Sequence, residues 1–289
     1  MNLGKRLKYK IYYLLLKRLN EMKYLKKYKI FENYNKFGSK TITESEFDKI
    51  RKENCKNWTK VETELFRGMP DLGDYVFVDP KLGDFRSSIE DTNIHLELMS
   101  NLPSWKDYPR YDRCVIGGSP GAVGSYGDVI YEMIPFDGVQ ISVCPFSTIW
   151  ESFGNILIGD WGGDIYLVDH FLASIGLDSG WIQIGGETLE TKLKSIKSFD
   201  LLKNNYLVQT PLGEELKIFD SFITECSLAL NKKKEEITGE DCYNFINDYI
   251  FNPEKRGFEL KTYDENFKIE NKKQIWTEGP VLLIKGKLS

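Results

Sequence analysis

The chain has 289 residues, 41% hydrophobic and 13% aromatic with 28% charged, enough to bury a sizeable core and too apolar for extended disorder. Its net charge of −4 argues against a general nucleic-acid coat. Five scattered cysteines without a CxxC pair, and two histidines, signal neither a disulfide framework nor a zinc site.

The charge is unevenly spread. Residues 1–37 hold eleven Lys/Arg against two Asp/Glu, a charge of +9, which leaves −13 on the rest. Within them Leu7, Ile11, Leu14, Leu15, Leu19, Met22 and Leu25 recur at spacings of three and four. That pattern predicts a basic amphipathic leader helix, either packed on the body with a solvated lysine face or available to a partner protein. Its apolar run is too short to span a bilayer and no small-residue cleavage site follows, so neither a transmembrane segment nor a signal peptide is expected. The expected location is the cytoplasm.

Residues 38–289 read as a single α+β domain. Thr43 followed by Glu46 forms a capping box that starts a helix near residue 44. VETELFRGM is strand-like and ends at Arg67-Gly68, and residues 70–85 are turn-rich with one short apolar alternation. SSIEDTNIHLELMSNL reads as a helix, and PSWKDYPRYD as an extended connector. RCVIGG and DVIYEMIP are strands on either side of a glycine-rich turn, and VQISVC is a third. STIWESFGNILI is ambiguous between helix and strand. A helical insertion is expected over about 150–250, with strands at KRGFELKTYD and GPVLLIK.

The glycine stretch is not a P-loop, because Asp128 stands after Gly127 where a lysine is needed to grip phosphate. It is not a dinucleotide fingerprint either, because a proline-ended strand follows it instead of a helix. The plain alternative is a long-looped hairpin.

Three segments in order resemble the Arg-Ser-Glu class of mono-ADP-ribosyltransferases, including its phage-encoded and bacterial members. LFRGM resembles the first motif, CVIGGSPGAVGSYG the second, and WTEGPVLLIKG the third. The resemblance implies an ADP-ribosyltransferase-like split β-sandwich and NAD as substrate. It also implies a macromolecular acceptor, protein or nucleic acid, and a toxin-type or phage-type transferase. It implies that Arg67, with Gly68, binds the NAD phosphates, for which a guanidinium's bidentate donors are suited. It further implies that Ser119 supports Arg67 or the nicotinamide ribose, that Tyr126 stacks on nicotinamide, and that Glu278 is the catalytic carboxylate. Nicotinamide leaves through an oxocarbenium-like state, which a carboxylate stabilises. No metal is implied.

The chain departs from the pattern. Gly118 and Pro120 flank Ser119 where the class has Ser-Thr-Ser, and Gly279-Pro280 shift Glu278 by two positions. These departures keep two alternatives in view: a catalytically degenerate binding protein of the same fold, and an NAD glycohydrolase. Glu132 and Glu151 are rival carboxylates, and Glu132 is expected to face away from Tyr131 and Met133. Arg113 is read as structural, Cys114 and Trp276 as core, and His95 and His170 as surface or half-buried histidines.

Overall fold

The computed structural model describes residues 38–83, 94–122, 129–154, 164–174, 189–202 and 215–286. They form a mixed α+β fold around an antiparallel nine-stranded sheet. The strands are β1 (Ser39–Thr41), β2 (Phe66–Met69), β3 (Tyr75–Val78), β4 (Val115–Gly118), β5 (Val129–Pro135), β6 (Gln140–Val143), β7 (Glu259–Thr262), β8 (Gln274–Thr277) and β9 (Val281–Lys285), in the order β1-β3-β9-β5-β2-β4-β8-β6-β7.

Helix α1 (Glu44–Asn54) begins where the capping box predicts. The Glu46 amide donates to Thr43 Oγ1 at 3.3 Å, and the Thr43 amide donates to Glu46 Oε2 at 2.8 Å. Two amides of the first turn are thereby satisfied reciprocally. The helix buries Phe47, whose ring lies 4.9 Å from that of Tyr75 on β3.

The glycine stretch is not a hairpin. β4 and β5 do not pair; β2 lies between them, antiparallel to both. β4 and β5 therefore run parallel and are not a hairpin pair. The β2–β5 ladder has four residue pairs, Phe66↔Glu132 to Met69↔Val129. The β2–β4 ladder has one, Phe66↔Gly118. The sheet is nearly divided there.

Two short links show how the halves sit. Residues 136–139 join β5 to β6, and 278–280 join β8 to β9. Each link connects strands separated in the sheet order by two or more others. Neighbouring strands lie about 4.8 Å apart and a chain spans at most about 3.5 Å per residue, so a three-residue link cannot cross a flat sheet between β8 and β9. The sheet must bend at the β2/β4 division. The shared inner core agrees: Leu65, Met69, Val76, Tyr131, Met133, Val281 and Leu283 from one half meet Val115, Ile141, Val143 and Ile275 from the other.

Each outer face has its own cover. On the β3–β9–β5 half, Ile134 and Leu282 pack with Ile42, Phe47 and Cys55 at α1. On the β4–β8–β6 half, Cys114, Cys144 and Trp276 pack under helices. These are α2 (Ile94–Asn101), α3 (Ile149–Ser152), α4 (Asp164–Ser174), α5 (Leu189–Ser195), α6 (Glu215–Leu230), α7 (Gly239–Phe245) with a π-helical continuation to Ile250, and α8 (Pro253–Arg256). All but α2 lie between β6 and β7. Trp276 is fully buried, and its Nε1 donates to Pro109 O at 2.8 Å, so its ring belongs to the core. His95 corrects the expectation from sequence: it is 4% exposed, with Trp150 and Tyr111 rings at 4.8 and 5.8 Å. Among the described residues no helix is long and apolar enough to cross a membrane.

Candidate functional site

Arg67 stands at the division of the sheet. Along β2 it stands two residues from Leu65 and two from Met69, so it shares their inner side of the strand. Beyond Phe66↔Gly118 the two strands no longer pair, and the Arg67 side chain fills the gap: Nη1 donates to Ile116 O at 2.5 Å. The guanidinium thus takes a β4 carbonyl that a ladder partner would otherwise have bonded. Gly68, next to it, is buried.

Gly117 explains why the strands approach so closely before they part. A Cβ there would lie 2.7 Å from Met133 Sδ and 2.8 Å from Phe66 O. Only glycine fits between β2 and β4 at this point.

Ser119 closes the far end of β4. It is fully buried. Its Oγ donates to Glu270 O at 2.8 Å and accepts from the Lys273 amide at 3.0 Å. Its own amide donates to Lys273 O at 3.0 Å. The turn continues through Gly121, whose φ of +84° suits glycine, with the Ala122 amide returning to Ser119 O. The serine therefore clamps the root of the glycine connection to the 270–273 loop. Tyr126 lies outside the described residues, as does the 1–37 leader.

Glu278 sits in the link between β8 and β9, half-buried. The β4–β8 register pairs Val115 with Thr277, while Ser119 faces Lys273. Ser119 and Glu278 are thus five residues apart along β8, about 16 Å at 3.3 Å per residue. On the side of Glu278, Arg110 forks onto Asp112 at 3.0 and 2.7 Å and feels the Glu278 charge. The hydrogen-bonded Asp112 raises the Arg110 pKa most, with a smaller contribution from Glu278. The structure brings Arg67 to β4, the strand that Ser119 follows; it does not bring Ser119 and Glu278 together.

The β8 residue level with Gly118 is Gln274. It is 2% exposed, and its Oε1 accepts from the Ile149 amide at 2.5 Å. Sequence reasoning passed over it because QIWT gives too short a strand signal. The rival Glu132 faces outward, away from Tyr131 and Met133, and accepts from Trp58 Nε1 at 2.7 Å. Its half-buried position raises its pKa, through desolvation first. Glu151 is exposed in the first turn of α3 and accepts from Ser147 Oγ at 2.5 Å. Among the described residues no three His, Cys, Asp or Glu side chains gather as a metal site would require.

No protein family, curated protein or solved structure matches the chain.

Proposed function

We propose that this protein is an NAD-dependent mono-ADP-ribosyltransferase with an ADP-ribosyltransferase-like split β-sandwich. One observation carries the reading: the sheet bends at a single-pair contact between β2 and β4, and Arg67 occupies that division. The resemblance asks for an arginine at the end of this strand; Arg67 lies within β2, two residues before its end at Met69, where the sheet divides. In this reading Arg67 and Gly68 receive the pyrophosphate, and Tyr126 is the residue that stacks on nicotinamide. Ser119 acts by fixing the end of β4, since its hydroxyl already has both partners. The bond between nicotinamide and the ribose C1′ breaks with its electron pair passing to nicotinamide. Glu278 stabilises the oxocarbenium ion left behind, and an acceptor nucleophile on a protein or nucleic acid closes on C1′ as its proton passes to the Glu278 carboxylate.

A second reading is a catalytically degenerate binding protein of the same fold, which would use the +9 leader toward a partner. It is favoured by the roughly 16 Å between Ser119 and Glu278, and by an amide, Gln274, at the β8 position level with Gly118.

Calorimetric titration of NAD into wild type and Arg67→Ala, followed by nicotinamide release from wild type and Glu278→Gln, tests both. Binding lost in Arg67→Ala, with release lost in Glu278→Gln, is the result expected of the transferase. Binding without release selects the degenerate reading, and no binding to wild type rejects the NAD site. Release without label reaching a macromolecule identifies a glycohydrolase.

A further inference from the structure

We propose, resting on the NAD reading above, that Phe146 is the stacking platform for the adenine ring of the dinucleotide. Phe146 is 55% exposed, although the loop that carries it is tightly held. Lys273 Nζ donates to Pro145 O, and the Gln274 amide donates to Phe146 O at 3.3 Å. Just beyond, Thr148 caps α3 by accepting from the Glu151 amide at 3.1 Å, and the Ile149 amide is fixed by Gln274 Oε1. A phenyl ring shown to water on a fixed backbone is preorganised for a flat partner, because little ordering entropy remains to be lost on binding.

The surroundings select the partner. The Lys273 ammonium lies 6.0 Å from the Phe146 ring centroid, with the exposed Glu270 carboxylate 3.6 Å from the ammonium on the solvent side. The Lys273 backbone is bonded in both directions to Ser119, at the root of the glycine connection. Phe146 therefore belongs to the same end of the β4–β8–β6 half as Ser119. A base stacks on an exposed aromatic face whatever its sequence identity. The nicotinamide ring of NAD is cationic and would meet the Lys273 charge at close range. Adenine is neutral, and the phosphates attached to its ribose are attracted to that charge.

The test is calorimetric titration of NAD, ADP-ribose and nicotinamide mononucleotide into wild type, Phe146→Ala and Phe146→Tyr. Phe146→Ala should weaken NAD and ADP-ribose by roughly ten- to hundredfold. It should leave nicotinamide mononucleotide unaffected, and Phe146→Tyr should retain wild-type affinity. The thermal midpoint of Phe146→Ala should stay at the wild-type value, because the side chain is exposed. NAD affinity unchanged in Phe146→Ala overturns the stacking assignment while leaving the NAD reading intact. Selective loss of nicotinamide mononucleotide overturns the adenine assignment. Wild type that binds none of the three ligands rejects the NAD reading itself, and this inference with it.

Discussion

Replacing Gly117 with alanine should strike both the stability of the fold and the position of Arg67. The added methyl would lie 2.7 Å from Met133 Sδ and 2.8 Å from Phe66 O. The sulfur ends a flexible side chain and can rotate away. The carbonyl belongs to β2, and Phe66 is the residue that pairs with Gly118, so it can yield only if β2 and β4 move apart. Overpacking of this kind costs about 1–3 kcal/mol. At roughly 2–4 °C per kcal/mol for a chain of this size, the thermal midpoint should fall by about 2–12 °C. Differential scanning calorimetry of wild type, Gly117→Ala, Met133→Leu and the double variant separates the two obstacles. If Phe66 O dominates, Met133→Leu gives no relief, and NAD affinity should fall along with stability because Arg67 loses its register against Ile116 O. Full rescue by Met133→Leu would place the conflict at the sulfur alone. A midpoint within about 1 °C of wild type, a shift worth less than about 0.5 kcal/mol, would refute the close approach of β2 and β4.

Local signals carried the elements that depend on neighbours in sequence. The start of α1 was legible because Thr43 and Glu46 satisfy each other's amides within four residues. The glycine-flanked strands were legible from alternation, and the outward aim of Glu132 from its place between Tyr131 and Met133. What sequence did not carry was the order of strands. Nothing in RCVIGG or DVIYEMIP announces that FRGM inserts between them, because that pairing is set by the inner core, which joins both halves of the bent sheet. Strands β1, β3 and β8 were missed for a related reason: three- and four-residue strands have little periodicity of their own and are fixed by long-range partners. His95 shows the same limit in one side chain. A histidine in a helical pattern reads as surface or half-buried, yet Tyr111 and Trp150 close over it. Within the candidate site, sequence order carried no distances, which is why Ser119 and Glu278 could be grouped in sequence and stand at opposite ends of β4.

Ser119→Ala should cost about 1–3 kcal/mol, because it removes the donor to Glu270 O and the acceptor for the Lys273 amide in a buried corner. A denaturant midpoint equal to wild type would show that the clamp is dispensable and return Ser119 to the ligand-contacting residues. Glu132 makes stability depend on pH with a definite sign. Its half-buried carboxyl has a raised pKa, from desolvation first and the nearby Glu64 charge, against the lowering effect of the Trp58 hydrogen bond. The folded chain therefore holds this proton more tightly than the unfolded chain, and the associated stability is present in acid and lost as pH rises from the ordinary glutamate value through the folded one. Glu132→Gln keeps an oxygen acceptor for Trp58 and removes the titration, so its guanidinium midpoint should change less than that of wild type between pH 4 and pH 7, a window beginning near the free glutamate value of about 4.3. Identical pH profiles for the two proteins would mean that solvent reaches Glu132 freely, and that the outer face beside Trp58 is more open than its packing indicates.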